Sequence, residues 1–289
     1  MTEVAGSAGP TRPPGPSRRQ LLERRQRQRS NLMAAASCAV VFGLLALVVV
    51  RAPGWDDVRR AFFSWDDLTA SLEDVVPAFW LNVRVFLVAE ALVLVVALLL
   101  AVARSSRSPV LAPVRLLATV YVDLLRGIPV LLVLFLLAFG VPALRLEGVT
   151  NDPVFWGTVA LVLSYSAYVS EVYRAGIESV HESQRAAARS LGLSSGQALR
   201  FVVLPQAVRR VVPPLLNDFI ALQKETALLG VVGPIEAARQ AQLYASRTFN
   251  FTSYVGAALI FLAVTVPLTR FTDWLLARQR VRISGGRLA

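Results

Sequence analysis

Polar and ionisable side chains interrupt three long apolar runs of this 289-residue chain, and they are the residues best placed to do chemistry. A charged group in hydrocarbon costs at least ~2.5 kcal/mol, so such residues should face the interior of a helix bundle and bind a partner or a polar solute. Lys224 and Glu225 point about 100° apart on a helix, so each should pair with another helix. The candidate lining of a solute pathway comprises Asn82, Glu90, Ser166, Tyr168, Asn217, Gln223, Lys224 and Glu225.

The same side chains are also compatible with a purely structural role. Contact with a solute and pairing between helices explain Lys224 and Glu225 equally well. For Tyr165, Ser166 and Tyr168, packing and interhelical hydrogen bonding are favoured over contact with a solute. The residue types alone therefore leave both interpretations open.

Other kinds of chemistry are disfavoured by what the sequence lacks. One cysteine, Cys38, and one histidine, His181, cannot supply a metal cluster of thiolates and imidazoles. The only lysine, Lys224, follows Gln223 rather than a glycine, so the chain has no glycine-rich phosphate loop. No nucleophile, base and orienting residue stand at a recognisable spacing. We expect neither an enzyme nor a cofactor bound by this chain.

The elements that must position these residues are membrane-spanning helices. Hydrophobic residues make up 55% of the chain, more than a soluble domain of this size encloses. Alternating polarity is absent, and a lone segment in lipid must satisfy its own backbone hydrogen bonds, which only a helix does. The pattern predicts an all-α, polytopic membrane protein with six transmembrane helices. The six runs, each long enough to cross ~30 Å of hydrocarbon as helix, are 32–50, 79–102, 110–140, 154–175, 212–232 and 254–276.

The distribution of arginine predicts the orientation of these helices. The formal net charge of +11 comes almost wholly from arginine and could indicate nucleic-acid binding. The arginines instead gather in short segments beside the apolar runs, as in cytoplasmic loops, whereas the loops expected outside are rich in acidic residues. We therefore predict no nucleic-acid partner, membrane lipid around the helices, and both termini in the cytoplasm.

The domain organisation follows from the same runs. The first segment is rich in Pro, Gly and Arg, which is typical of a disordered cytoplasmic tail. A cleaved signal peptide is the alternative, but the run after it is long enough to span and lacks a small-x-small cleavage pattern. An amphipathic helix at the outer surface and a plain solvated loop are equal readings of 51–78. The predicted segments are a tail 1–31, an additional helix 32–50, an outer loop 51–78, a transmembrane domain 79–279 and a cytoplasmic tail 280–289.

The loop between the fourth and fifth runs, 176–211, is too patterned for a linker. A helix-forming segment ends at Gly192, Ser194 and Ser195 can cap a second helix, and Pro205 is expected to end that helix. Small alanine side chains permit close approach by another protein. We predict an interaction element formed by two short helices.

This loop resembles the EAA loop of bacterial ABC importer permeases. That pattern is Glu-Ala-Ala, three residues, Gly, nine residues, then Ile-x-Leu-Pro. The matching spacing here runs through Ala186, Ala187, Ala188, Gly192, Leu204 and Pro205. Ala186 stands where the family has Glu, which removes any salt bridge that the family forms there.

The resemblance extends over about 81–279 and narrows to the polar amino acid permeases, on the segments 121–135, 166–180 and 213–228. It implies the fold of a type I permease in the bacterial cytoplasmic membrane. It also implies an importer with a second permease subunit, two ABC ATPase subunits that hold ATP, and an extracytoplasmic solute-binding protein. In that family the matching loop residues couple the permease to its ATPase.

The resemblance implies uptake of a polar amino acid. Arginines and Lys224 would favour an anionic one such as glutamate or aspartate. Two other functions stay open, a permease for another small solute and a non-transporting scaffold whose basic tail recruits partners. A scaffold would need neither polar residues inside three spans nor a loop of this spacing.

Overall fold

The structure is a computed structural model that describes residues 18–106 and 108–285, with side chains for 30–106 and 108–278. Helices account for most of this described part, and it contains no strand. The all-α fold class that the sequence predicts is confirmed. The α-helices of the described part are α1 (Arg18–Val50), α2 (Trp55–Phe62), α3 (Trp65–Ser105), α4 (Ala112–Gly127), α5 (Val130–Phe135), α6 (Val141–Ala143), α7 (Pro153–Glu178), α8 (Glu182–Ser190), α9 (Ser195–Ala198), α10 (Leu204–Glu225), α11 (Ala237–Thr248) and α12 (Thr252–Gly285).

Four helical stretches of the described chain are long and apolar enough to cross a membrane, or five if one sharply bent pair is a single span. The fifth predicted run, 212–232, corresponds to the second half of α10 and a 3₁₀ helix, Thr226–Val232. Charged residues such as Asp218 and Lys224 make this run less apolar than the others. The helix count is therefore close to the predicted six. The stretches are Ser30–Val50, Trp55–Ser105, Pro153–Glu178, Thr252–Arg278 and the bent pair Pro109–Gly127 with Val130–Ala143.

The chain divides into two compact units, Met1–Arg59 and Arg60–Ala289. In the first unit, α1 includes the predicted run 32–50, whose apolar side chains are exposed as in a helix that faces lipid. The tail 1–31 was predicted to be disordered, yet α1 already begins at Arg18; the remainder of that prediction, 1–17, lies outside the described residues.

The predicted outer loop, 51–78, is mostly helical. Residues Trp55–Phe62 form α2, which is amphipathic; its location at the outer membrane surface stays a prediction. The longest helix, α3, begins at Trp65 because the Ser64 hydroxyl accepts a hydrogen bond of 3.3 Å from the Asp67 N–H. At 41 residues α3 is about 60 Å long, so it extends well beyond the hydrocarbon core. At the other end of the chain, α12 continues to Gly285, through part of the predicted tail 280–289.

The predicted run 110–140 is broken rather than continuous. Its two halves, Pro109–Gly127 and Val130–Ala143, meet at an angle of 107°. Pro129 is the cause, because the residue before a proline is driven out of the helical region, and Ile128 has an extended backbone (φ −101°, ψ 130°). A π-helical turn, Leu136–Gly140, then precedes α6. The break creates two helix ends within one span.

The main apolar core lies where α3 packs along α7, with α5 and α10 against it. Ala89 on α3 and Ala160 and Ala167 on α7 are fully buried, and such small side chains let helix backbones approach closely. Phe86 of α3 meets Phe219 of α10 edge-on, with 4.7 Å between ring centroids. These contacts fix the three helices that carry most of the polar residues.

A buried polar pair, Asn82 and Glu236, ties α3 to the start of α11. The Asn82 amide nitrogen donates to a Glu236 carboxylate oxygen at 3.0 Å and to the Thr226 hydroxyl at 3.1 Å, and its oxygen accepts from the Ala237 N–H at 3.1 Å. The carboxylate also accepts hydrogen bonds of 2.9 and 2.7 Å from two N–H groups in the first turn of α11. Burial raises the pKa of Glu236, and these hydrogen bonds oppose the rise.

Candidate functional site

Helix α8 is the first of the two short helices in the predicted interaction element, whose role in contacting another protein stays a prediction. It ends at Ser190, and Gly192 adopts the left-handed conformation with φ +83°. The Gly192 N–H donates to the Arg189 carbonyl at 3.0 Å and the Leu193 N–H to the Ala188 carbonyl at 3.2 Å, which is a Schellman motif. The predicted stop at Gly192 is confirmed, and its physical reason is the positive φ.

The three alanines of α8 are not equivalent. Ala186 and Ala187 are exposed, whereas Ala188 is buried against the rest of the protein. Only the first two therefore present a flat surface to another protein. His181, before the helix, accepts a hydrogen bond of 3.2 Å from the Ser183 N–H and so caps its N-terminus.

The second helix of the loop begins as predicted but does not end as predicted. Ser194 and Gln197 form a capping box at the start of α9. Pro205 was expected to end this helix, and that prediction is wrong, because α9 passes through a π-helical turn, Leu199–Val203, directly into α10. Pro205 lies in the first turn of α10, where a missing N–H costs least. The loop is therefore joined to a span by continuous helix.

Hydrogen bonds and packing fix α8 to the neighbouring spans. Arg185 of α8 donates to the Ile177 carbonyl at 3.0 Å, and Arg210 of α10 donates to the Ser179 carbonyl. Val180 packs with Val203 and other apolar residues beneath the loop. A displacement of α8 would thus be transmitted to α7 and α10.

Helices α7 and α10 approach closely at Gly176, just before this loop. A Cβ atom on Gly176 would lie 2.0 Å from the Val211 Cγ2 atom and 3.4 Å from the Ala207 carbonyl oxygen. Only glycine fits this position. Sequence reasoning missed Gly176, because its requirement depends on a residue of another helix.

An ion cluster joins the ends of α3, α4 and α7. Glu171 of α7 binds Arg104 of α3 and Arg174 at 2.8 Å, and its carboxylate lies 3.9 Å from Arg126 of α4. Arg174 also binds Glu178 at 2.7 Å. Arg104 and Arg126 are far from Glu171 in the sequence, so the loop pattern did not identify their pairing. The cluster holds three helices together beside the interaction element.

Three of the predicted pathway residues, Asn82, Ser166 and Gln223, are buried and hydrogen-bonded. Asn82 forms the pair described above, and the Gln223 side-chain oxygen accepts from the Thr265 hydroxyl at 2.9 Å. Ser166 is buried and lies 2.8 Å from the Tyr121 hydroxyl. These contacts are typical of helix-to-helix bonding, and a role in the pathway stays a prediction for these residues.

The other predicted residues lie on more open surfaces. Tyr168, Asn217 and Lys224 are exposed, and Glu90 and Glu225 are half-buried. Asn217 and Lys224 are two helical turns apart and so share one face of α10. The Tyr168 hydroxyl donates to the Arg126 carbonyl at 3.3 Å, beside the break between α4 and α5.

Three acidic side chains, Glu90 of α3 and Asp218 and Glu225 of α10, form an acidic cluster near Tyr165 of α7. Glu90 lies one helical turn after Phe86, which contacts Phe219, the neighbour of Asp218 on α10. The Asp218 Oδ2 atom is buried without a hydrogen-bond partner in the described part of the chain. An unpaired buried acceptor is uncommon, and it can accept a hydrogen bond from a ligand.

Sequence reasoning named Glu90 and Glu225 but missed Asp218. The signal was available, because Asp218 precedes Glu225 by two helical turns and shares its face of α10. Among the described residues, no group of three or more His, Cys, Asp or Glu side chains is arranged to hold a metal ion.

Comparison with known proteins gives a family match over most of the chain. The profile of the family described as "binding-protein-dependent transport system inner membrane component" matches residues 94–283. The probable glutamine ABC transporter permease protein GlnM of Bacillus subtilis is 42% identical over 175 residues, which is 60% of this chain and 79% of that protein. The L-cystine transport system permease protein TcyB of Bacillus subtilis is 34% identical over 228 residues, 78% of this chain and 91% of that protein.

Solved structures match over a similar part of the chain. The crystal structure of an amino acid ABC transporter with histidines has a TM-score of 0.69 and 29% identity, and covers 74% of this chain and 98% of that one. An inward-facing structure of the MetNI methionine ABC transporter has a TM-score of 0.58 and 19% identity, and covers 71% and 95% of the two chains. The second likeness concerns the fold alone.

Proposed function

Since the chain belongs to the family of inner membrane components of binding-protein-dependent transport systems and is an amino-acid ABC transporter permease, we propose that it forms the pathway for a polar, uncharged amino acid such as glutamine. Its fold is that of an ABC importer type I permease, as the sequence predicts. The protein lies in the membrane and supplies transport, while ATP is bound and hydrolysed by a separate subunit.

The choice of solute rests on the acidic cluster of Glu90, Asp218 and Glu225. Every amino acid presents an ammonium group, and the unpaired Asp218 oxygen can accept its hydrogen bonds. Glu90 and Glu225 are further acidic side chains on the same two helices, whereas an acidic solute would bring a second carboxylate toward them. Glutamate or aspartate, the solutes suggested by arginine content, are therefore disfavoured. The named solute of the relative GlnM, glutamine, agrees with an uncharged side chain.

The proposed partners follow from the exposed faces of the chain. The exposed Ala186 and Ala187 of α8 would allow close approach of an ABC ATPase subunit, because their side chains are single methyl groups. The polar face of α10 with Asn217 and Lys224 would be covered by a second permease subunit, identical or homologous. An extracytoplasmic solute-binding protein would deliver the amino acid.

Uptake by the complete transporter tests the proposed solute. Proteoliposomes containing the permease, its ATPase and its binding protein should accumulate radiolabelled glutamine in preference to glutamate when ATP is enclosed. Asp218→Asn removes a charged acceptor for the ammonium group and should lower the initial rate of glutamine uptake roughly tenfold or more. Asp273→Asn, the same change at an exposed position of α12, is the matched control and should transport normally.

Equal accumulation of glutamate and glutamine would contradict the proposed solute, and so would normal uptake by Asp218→Asn. Accumulation of a solute other than an amino acid would contradict the proposed function itself. Assembly of each variant with the ATPase is measured in the same preparation, so that a folding defect is recognised.

The proposed orientation is tested by cysteine labelling. In a Cys38→Ser background, a membrane-impermeant maleimide should label Asp66→Cys in intact cells and should label Ser183→Cys only after the membrane is opened. Arginine-rich loops are retained in the cytoplasm, which puts the loop containing Ser183 inside together with both termini. Labelling of Ser183→Cys in intact cells would reverse the orientation.

A further inference from the structure

A basic cleft lies between the α3–α4 connection and the loop that carries α8. Its volume is ≈ 870 Å³, and four arginines and two glutamates line it, so its walls are net positive. One of the glutamates, Glu178, is already neutralised by Arg174 at 2.7 Å. The arginines of the basic cleft are Arg104, Arg115, Arg185 and Arg189.

Arg104 binds Glu171, and Arg189 donates one hydrogen bond to the Ser195 hydroxyl, but the arginines of the cleft keep other donors free for a ligand. Arg115 uses one nitrogen on the Ser106 carbonyl at 2.8 Å, and Arg185 uses one on the Ile177 carbonyl at 3.0 Å. The Arg185 Nε atom is buried and has no acceptor among the described residues. A guanidinium has five N–H donors in a fork that matches the oxygens of a phosphate. The cleft therefore offers several unused donors on rigid side chains.

An apolar groove of ≈ 520 Å³ lies next to the cleft, between α3 and α4. Leu100 and Ala103 of α3 line one side, and Leu117 and Ala118 of α4 line the other. Leu117 is 70% exposed, so the groove opens to the surface. An acyl chain fits a groove of this composition.

The helix register makes the groove and the cleft one continuous surface. Arg104 lies one helical turn after Leu100, and Arg115 lies one turn before Ala118. The helix faces that line the apolar groove thus carry arginines at the end where α3 and α4 are joined. A single molecule with an apolar tail and an anionic head would occupy both.

From this juxtaposition we propose that the groove and the cleft bind one anionic phospholipid, its phosphate held by Arg115, Arg185 and Arg189. Basic pockets at the cytoplasmic ends of membrane helices favour such headgroups. A soluble acidic partner would match the arginines but would leave the apolar groove facing it, so a lipid fits better. Arg185 and Arg189 belong to α8, so the bound headgroup contacts this helix. An anionic lipid therefore holds α8 in position for its contact with the ATPase.

Lipid retention by the purified complex tests this site. The complete transporter is incorporated in nanodiscs of equal parts phosphatidylcholine and phosphatidylglycerol, and co-purified lipid is measured by native mass spectrometry. Arg115→Gln combined with Arg189→Gln should lower retention of phosphatidylglycerol roughly tenfold or more. Each arginine near a membrane surface strengthens the binding of anionic lipid, and the combined variant removes two. Ala103→Phe, which fills the groove and leaves every arginine in place, should also lower retention.

Arg209→Gln is the matched control, because Arg209 is exposed on α10 outside the cleft. If Arg209→Gln loses phosphatidylglycerol equally, lipid retention depends on general surface charge, and the proposed site is wrong. Unchanged retention in both test variants would also overturn it. Displacement of the lipid by millimolar glycerol phosphate would assign the cleft to a soluble phosphate instead.

Discussion

Gly176→Ala is expected to abolish ATP-driven uptake while leaving the spans inserted. The new Cβ atom would lie 2.0 Å from the Val211 Cγ2 atom, so α7 and α10 must separate beneath the interaction element. Overpacking of this kind costs roughly 1–3 kcal/mol, and a β-branched valine cannot rotate far to relieve it. We would measure solute-stimulated ATP hydrolysis and glutamine uptake in proteoliposomes.

A second substitution separates this steric explanation from others. Val211→Ala removes the clashing methyl group, so the double variant Gly176→Ala with Val211→Ala should recover much of the uptake that Gly176→Ala loses. Val211→Ala alone should have the smaller effect of a buried cavity. A double variant no better than Gly176→Ala would show that the close approach of α7 and α10 is not what matters.

Gly192→Val is expected to uncouple the ATPase from the permease. A β-branched residue at φ +83° is a conformational outlier that costs at least about 1–2 kcal/mol, and relieving it removes the Schellman motif that ends α8. The surface of Ala186 and Ala187 would then lose its fixed direction. Co-purification of the ATPase should fall together with stimulated hydrolysis.

Two controls belong to this experiment. Gly192→Asn should behave nearly as wild type, because asparagine tolerates the left-handed conformation. Gly196→Val makes the same change in side chain on α9, where no neighbouring atom lies within 4 Å of the new Cβ and φ is not positive. Equal loss of coupling in Gly196→Val would mean that bulk on the loop, and not the conformation of Gly192, is responsible.

The sequence predicted features that depend on local chemistry. Hydrophobic runs long enough to span predicted the helices, and Gly192 with Ser194 predicted the end of α8 and the start of α9. Each is decided by residues close together in the chain, where propensity and capping act. The prediction for Pro205 was wrong because a π-helical turn, Leu199–Val203, precedes it. The hydrogen bonds of that turn differ from those of a regular α-helix, which an interior proline would disrupt.

Features that depend on contacts between helices were largely missed. Gly176 must be glycine because Val211 of α10 lies against it, and Glu171 of α7 binds Arg104 of α3. Asp218 of α10 lies near residues of α3 and α7. All three contacts join residues that are more than thirty positions apart in the sequence. No periodicity in one segment records such a pairing, so only the packed structure identifies these contacts.

The break between α4 and α5 also changes what the backbone itself presents. A continuous helix uses its carbonyl and N–H groups internally, whereas a helix end leaves the last carbonyls and first N–H groups with partial charges. The 107° bend puts two such ends, at Gly127 and Val130, inside one span. Part of the polar surface at this depth is consequently main chain, and alanine scanning of side chains would leave it unaltered.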